Sequence, residues 1–344
     1  MQIQYPGLNT FAAQGFSAIP GYIDQHVHVL GGGGEGGFKT RVPELMLSQC
    51  IKAGVTTVLG LLGTDGVTRS VENLVSKTKA LNEEGITAYC LTGSYGYPTC
   101  TLTGDVKKDV AFIQEIIGVK VAISDHRSSH MTKEELTRLV SDIRVASLIS
   151  GKPGLVVFHL GRGKSELSIV NEILDETDLP IKHFRPTHVQ KIQQEAIAFA
   201  KRGGFIDFTT GRDTSRTATY IVEALDAGVP PNLITISTDS NGSQPIWDEN
   251  NELIGLAAAS MGTMQKLIRA LVFEQEIPIA NAIEFATRNV ARALGLEGRK
   301  GSLAPGYDAD ILLLDQHLNI DTVFARGQLM MQGGELKVKG TFEQ

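Results

Sequence analysis

Eight short β-branched or apolar runs, each followed by a longer amphipathic stretch, fill the sequence from Tyr22 to Phe273. The runs are Tyr22–His28, Val55–Leu62, Ile86–Thr92, Val119–Ser124, Leu155–Leu160, Phe184–Val189, Phe205–Thr210 and Leu233–Thr238. Between and after them, helical spacing is read over Glu44–Lys52, Val71–Glu84, Val106–Ile116, Lys133–Ile149, Ser165–Glu176, Ile192–Lys201, Thr217–Ala227 and Leu256–Phe273. Alternation of this kind builds βα units on a parallel sheet. Eight units in about 250 residues fit a closed barrel better than an open doubly wound sheet. The open sheet has its own signature, a G-x-G-x-x-G turn with an acidic residue after the second strand. Gly31–Gly34 approaches that turn, but the acidic residue and a clean helix start are missing. The expected fold class is therefore α/β, a (β/α)8 TIM barrel over residues 20–300.

The pattern changes after Lys300. Ile311–Leu314, Ile320–Ala325, Gln328–Met331 and Leu336–Lys339 read as short strands separated by Gly and Asp turns. Residues 1–19 read as extended chain, a shortened N-terminal remnant of the same appendage. An isolated hairpin has too little apolar face to stand alone. The two ends, 1–19 and 301–344, should form a small β appendage by pairing with each other or packing on the barrel.

Composition removes several function classes. A net charge of -6 offers no basic surface for nucleic acid or anionic lipid. Cys50, Cys90 and Cys100 have no metal-binding or redox spacing. Neither a secretory leader nor a bilayer-spanning apolar run is seen, so a cytoplasmic location is expected.

The first strand ends in His26-Val27-His28. Side chains at i and i+2 of a strand share a face, so two imidazoles point the same way. A pair of solvent-facing polar residues would also explain this. Repetition favours chemistry. Lys120 lies inside the fourth strand, His159 near the end of the fifth, His188 ends the sixth and Asp239 ends the eighth. Strand ends of a barrel converge on one mouth, where active sites are built. Buried imidazoles and carboxylates are costly without partners, and a metal supplies one. Four histidines and a carboxylate suit zinc or another first-row divalent ion, and are enough for two. A bridging ligand is then needed. Lys120 as an ammonium offers only donors. A carbamate formed from its neutral amine and CO2 would bridge two cations. A barrel lysine paired with a carboxylate is the alternative.

These residues carry a specific resemblance. The run Pro20–His28, with Lys120, His159, His188 and Asp239, resembles the amidohydrolase superfamily. Gly31–Glu35, Leu61–Asp65, Leu91–Tyr95, Ile123–Arg127, Ser237–Pro245 and Gly340–Glu343 are similar to its isoaspartyl (β-aspartyl) dipeptidases. The resemblance spans nearly the whole chain. It implies two Zn2+ ions, or other divalent metals, and cleavage of dipeptides linked through the aspartate β-carboxyl. It implies that His26 and His28 hold one ion with Asp239, that His159 and His188 hold the other, and that carboxylated Lys120 bridges both. A metal-bridging hydroxide would attack, with Asp239 as general base and acid and Tyr95 steadying the oxyanion. Glu35 would meet the substrate ammonium and Arg127 a substrate carboxylate. Thr64, Ser243 and the Gly33 backbone would add neutral hydrogen bonds. Plain loop, packing or turn roles are open for each of these. The resemblance also implies a homo-oligomer.

Two departures stand out. The family arginine after the His188 position is Lys191 here, which keeps the charge but not the bidentate geometry. Lys191 is the candidate for the leaving residue's carboxylate, with Arg212 or Arg216 in an unfamiliar loop as possible substitutes. The N-terminal strands of the family are largely missing. These departures keep two other functions in view: hydrolysis of a cyclic amide or N-acyl amino acid, and a non-catalytic scaffold on the same fold.

Overall fold

The computed structural model describes residues 10–247 and 253–343. A single eight-stranded parallel sheet forms the barrel, with its strands in sequence order. After an N-terminal strand β1 (Ser17–Pro20), the barrel strands are β2 (Tyr22–Val27), β3 (Val55–Gly60), β4 (Thr87–Gly93), β5 (Ile116–Ile123), β6 (Leu155–Leu160), β7 (Phe184–Thr187), β8 (Ile206–Thr209) and β9 (Ile234–Ser237). A parallel bridge between Val27 and Ser240 joins the last turn of the sheet to the first strand. The His28 N–H donates to the Ser240 carbonyl there, at 2.9 Å. The seam of the barrel thus runs beside the His26-Val27-His28 motif.

Around the sheet lie α1 (Leu47–Lys52), α2 (Val71–Glu83), α3 (Val106–Phe112), α4 (Lys133–Ser150), α5 (Ser168–Glu176), α6 (Gln193–Lys201) and α7 (Thr214–Asp226). The longest, α4, illustrates why they form. Leu136, Leu139, Val140, Ile143 and Ala146 recur at helical spacing and are all buried. Each large one contributes roughly 1.5–3 kcal/mol by leaving water. Thr132 and Glu135 cap the start reciprocally, and Gly151 ends the helix at φ +69°. Replacing Thr132 by Ala would cost about 1 kcal/mol.

The chain ends do pair. Ser17–Pro20 lies antiparallel to β12 (Ile311–Leu314), which continues through β13 (Ile320–Ala325), β14 (Gln328–Gln332) and β15 (Glu335–Leu336) as one five-stranded sheet. Lys300 pins this sheet to the barrel floor. Its buried ammonium meets Asp310 at 2.6 Å, Asp308 at 2.9 Å and Thr87 at 2.7 Å. Residues 1–9 of the expected N-terminal segment lie outside the described residues.

Several boundaries differ from the sequence reading. Leu256–Ala258 is not helical. It belongs to a hairpin of β10 (Ser243–Trp247) and β11 (Leu253–Ala258), and helix α8 starts only at Thr263. Main-chain pairing to Ser243–Trp247 overrides the local helical spacing there. The helix expected over Val106–Ile116 stops at Phe112, because Ile116-Ile117 joins β5. The strand expected at Leu336–Lys339 is confined to Glu335–Leu336. Two short helices, α9 (Ile279–Ala282) and α10 (Arg288–Ala293), follow α8.

Candidate active site

The C-terminal ends of the barrel strands bring the polar residues together. His26 and Lys120 are almost fully buried, and His28, His159 and His188 are buried too. His28 Nε2 lies 3.0 Å and His26 Nε2 3.4 Å from Asp239 Oδ1. Ligand atoms of His26, His28 and Asp239 all fall within 4.8 Å of one another. The His188 ring centroid is 5.0 Å from that of His26 and 4.6 Å from that of His159.

Two of these residues reach the mouth through unusual backbone. His188 directly follows β7 and Asp239 lies two residues past the end of β9, with φ of +63° and +56°. Left-handed conformations cost roughly 1–3 kcal/mol for such residues and persist where the surroundings over-determine them. Here the left-handed turn places each polar side chain at the strand end instead of continuing the pleat.

Electrostatics favours neutral nitrogen donors. Burial pushes the His26, His28 and His188 imidazoles below their ordinary range, and the nearby Lys120 charge adds to it. His159 falls to about 3 for the same leading reason. Burial lowers Lys120 to about 7, although Asp239 opposes the shift. Burial alone would raise Asp239, but its His28 hydrogen bond and neighbouring positive charges hold it well below the usual carboxylate range.

The donor set fits divalent metal. His188 Nδ1 lies 2.6 Å from Thr209 Oγ1, which leaves its buried Nε2 without a hydrogen-bond partner. An orphaned imidazole nitrogen beside two more imidazoles and a carboxylate is a metal-ligand arrangement. Both ring nitrogens of His159 are engaged. Tyr95 OH lies 2.7 Å from Nδ1 and Asp125 Oδ2 lies 3.1 Å from Nε2. A metal at His159 would have to replace one of these hydrogen bonds with a ligand bond.

Sequence reading missed Asp125. Its carboxylate accepts from Arg127 Nε at 2.9 Å and Nη2 at 3.0 Å, besides His159. Burial would raise it, but these hydrogen bonds hold it far below the carboxylate range. Arg127 also approaches Glu35 at 3.3 Å and Thr64 Oγ1 at 3.5 Å. Glu35, Thr64 and Arg127 thus meet at one side of the mouth. Gly33 has φ +75°, and a Cβ there would sit 3.5 Å from the Ser243 Cβ. Gly33 and Ser243 are therefore neighbours. Lys191 donates to the Leu160 carbonyl at 2.8 Å. Burial lowers its ammonium's pKa, as do the Arg127 and Arg162 charges, against Asp239 and Asp125. Arg212 and Arg216 follow β8, and Arg216 stacks on and bonds Tyr220 instead of reaching a carboxylate.

A second polar layer underlies the site. Asp24 accepts from the His26 and Thr238 amides at 3.3 and 3.1 Å and from the Thr238 hydroxyl. Asp207 accepts from Gln25, Thr187, Thr235 and Ser237 at 2.6–3.2 Å. The Asp207 partners are on β2, β7 and β9, the strands that carry His26 or lead into His188 and Asp239. Only the acidic residue type marks Asp24 and Asp207 in the sequence.

Known proteins are similar to this chain in sequence and fold. Residues 17–330 match the model of the Amidohydrolase family. The chain belongs to the amidohydrolase family. A Beta-aspartyl dipeptidase from Fervidobacterium islandicum AW-1, solved in complex with beta-Asp-Leu dipeptide, is similar to this amidohydrolase with 45% identity and a TM-score of 0.90. The match covers 96% of this chain and 89% of that one. A second structure of that organism's dipeptidase is 42% identical, with a TM-score of 0.88 over 98% and 90% of the two chains. An adenine deaminase from Bacillus pumilus is 24% identical over 97% of this chain and 53% of its own length. The chain spans about half the length of the curated relatives that it matches end to end. A D-hydantoinase shares the fold at 17% identity and a TM-score of 0.64, covering 96% and 89% of the chains. Among the described residues, no helix is long and apolar enough to cross a membrane.

Proposed function

We propose that this amidohydrolase is a divalent-metal-dependent hydrolase of isoaspartyl (β-aspartyl) dipeptides. The observation that carries the reading is the Glu35–Arg127 pair, 3.3 Å apart beside the imidazole cluster. It offers one carboxylate and one guanidinium to a substrate whose aspartyl part carries an ammonium and a free α-carboxylate. Similarity to a dipeptidase that holds beta-Asp-Leu supports the same substrate class.

His26, His28, Asp239, His159 and His188 would hold two ions, zinc being suited to such donors. When bound, such ions activate water near neutral pH and polarise the scissile carbonyl. Lys120 is a candidate bridge, because its burial favours the neutral amine to which CO2 adds, releasing a proton and leaving an anionic carbamate. Asp239, ionised and partly open to the mouth, would take a proton from the attacking water. It would then return that proton to the leaving amine. Tyr95, whose buried hydroxyl stays protonated, would donate to the oxyanion as the carbonyl becomes tetrahedral. Gly33, Thr64 and Ser243 would contribute neutral contacts, and Lys191 would meet the carboxylate of the leaving residue.

Zinc-loaded protein should hydrolyse β-Asp-Leu faster than α-Asp-Leu by orders of magnitude. Equal rates would overturn the substrate assignment. Lys191 in place of an arginine favours one alternative, hydrolysis of a cyclic amide or N-acyl amino acid. Turnover of dihydroorotate or a hydantoin, with none of β-aspartyl peptides, would select it.

A further inference from the structure

We propose that the loops after β6, β7 and β8 select an acidic leaving residue, with Arg162 as the specificity-determining residue beside Lys191. This rests on the dipeptidase reading and extends it to the second amino acid of the substrate.

The two sides of the mouth differ in charge. On the side of Glu35, Thr64 and Arg127 the cation is already paired, since Asp125 and Glu35 both reach Arg127. The loops after β6, β7 and β8 carry Arg162, Lys164, Lys191 and Arg212 against Glu166 and Asp213. Asp213 is already used, accepting from the Arg216 amide as the cap of α7. Arg127, across the mouth, pairs with a carboxylate. Among the described residues, Arg162, Lys191 and Arg212 make no ion pair.

Arg162 is exposed, but its backbone is fixed. The Gly163 amide donates to the Ser124 carbonyl at 2.7 Å, and the Ser124 hydroxyl donates to the Gly163 carbonyl at 2.8 Å. On the other side, a Cβ on Gly161 would lie 2.4 Å from Asp125 Oδ2. The chain at 161–163 is therefore pressed against Ser124-Asp125, at the edge of the site. Leu160, two residues before Arg162, is the residue whose carbonyl receives the Lys191 ammonium. Two cations thus stand on adjoining loops, each without an ion pair among the described residues.

A neutral leaving residue brings a single carboxylate, which Lys191 suffices to meet. The unpaired guanidinium then has nothing to bind. An aspartate or glutamate brings a second carboxylate, and a planar fork matches it in two parallel hydrogen bonds. The contact is made at the surface, so salt should weaken it.

The test compares β-Asp-Glu with its neutral isostere β-Asp-Gln, on zinc-loaded full-length protein at low ionic strength. The acidic dipeptide should have a kcat/KM about tenfold higher, expressed in KM, since the contact is equal in ground and transition states. Arg162→Ala should bring the ratio close to one, and Arg162→Lys should restore part of it. Raised salt should shrink the wild-type ratio. Equal kcat/KM for the two dipeptides, or a ratio unmoved by Arg162→Ala, would overturn this inference while leaving the dipeptidase reading intact. Turnover of neither dipeptide, nor of β-Asp-Leu, would overturn both.

Discussion

The Lys120 amine lies 3.1 Å from His26 Nε2, inside the barrel and out of reach of water. Among the described residues it makes no ion pair, and its burial brings the pKa to about 7. A structural barrel lysine would be ion-paired with a carboxylate. Lys120→Ala should therefore lower bound zinc and reduce kcat/KM by about a hundredfold or more, beyond the roughly 10–100-fold that loss of an outer partner costs. Protein incubated with 13C-bicarbonate and zinc should show a carbamate carbon by NMR that the variant lacks. Full zinc content in the variant, with no carbamate signal in the wild type, would remove Lys120 from the bridge.

Asp125 joins the substrate side of the mouth to the metal side, because one carboxylate holds both Arg127 and His159. Asp125→Ala should reduce kcat/KM by about 10–100-fold, the range found when outer partners of metal-binding histidines are removed. Asp125→Asn, which keeps one acceptor, should lose less. Kinetics together with zinc content would check this. A change within about twofold for the alanine variant would make the carboxylate dispensable.

Gly33 has two reasons to be glycine. Its φ is +75°, and a Cβ would lie 2.3 Å from the Thr40 carbonyl oxygen. Gly33→Ala must displace the loop that carries Glu35, at a cost of roughly 1 kcal/mol or more from the backbone alone. The expected result is a raised KM for β-aspartyl dipeptides and lower thermal stability. Unchanged KM and Tm would show that the loop yields freely.

Asp207, in the polar layer beneath the imidazole cluster, sets a pH dependence of stability. Burial raises its carboxyl to about 6, despite hydrogen bonds that favour the anion. A folded-state pKa above the unfolded value of about 3.9 means that the native state holds the proton more tightly. The resulting stability is complete below the unfolded value and is lost as pH rises through about 6. The upper bound is on the order of 3 kcal/mol, given 1.36 kcal/mol per unit. Asp207→Asn removes this loss. Its Tm relative to wild type should therefore be more favourable at pH 7.5 than at pH 4.5, by calorimetry on metal-free protein. A difference independent of pH would contradict the assignment.

The sequence by itself determined the barrel, because βα alternation is a local pattern of burial repeated eight times. It also determined the metal-ligand candidates, since i, i+2 spacing and strand-end position say where a side chain goes. Only the tertiary structure decided what surrounds them. Asp125 meets His159 across 34 residues, and Asp24 meets Thr238 across 214. No local pattern marks such pairs. The hairpin that takes Leu256–Ala258 out of a helix is likewise fixed by main-chain pairing with Ser243–Gln244-Pro245. The left-handed turns at His188 and Asp239 belong to the same class, since at these buried strand ends the surrounding structure holds the strained backbone in place. Lys191 could be placed near the mouth from its distance to His188. That its ammonium bonds the Leu160 carbonyl depends on two neighbouring strands and the loops they hold in place.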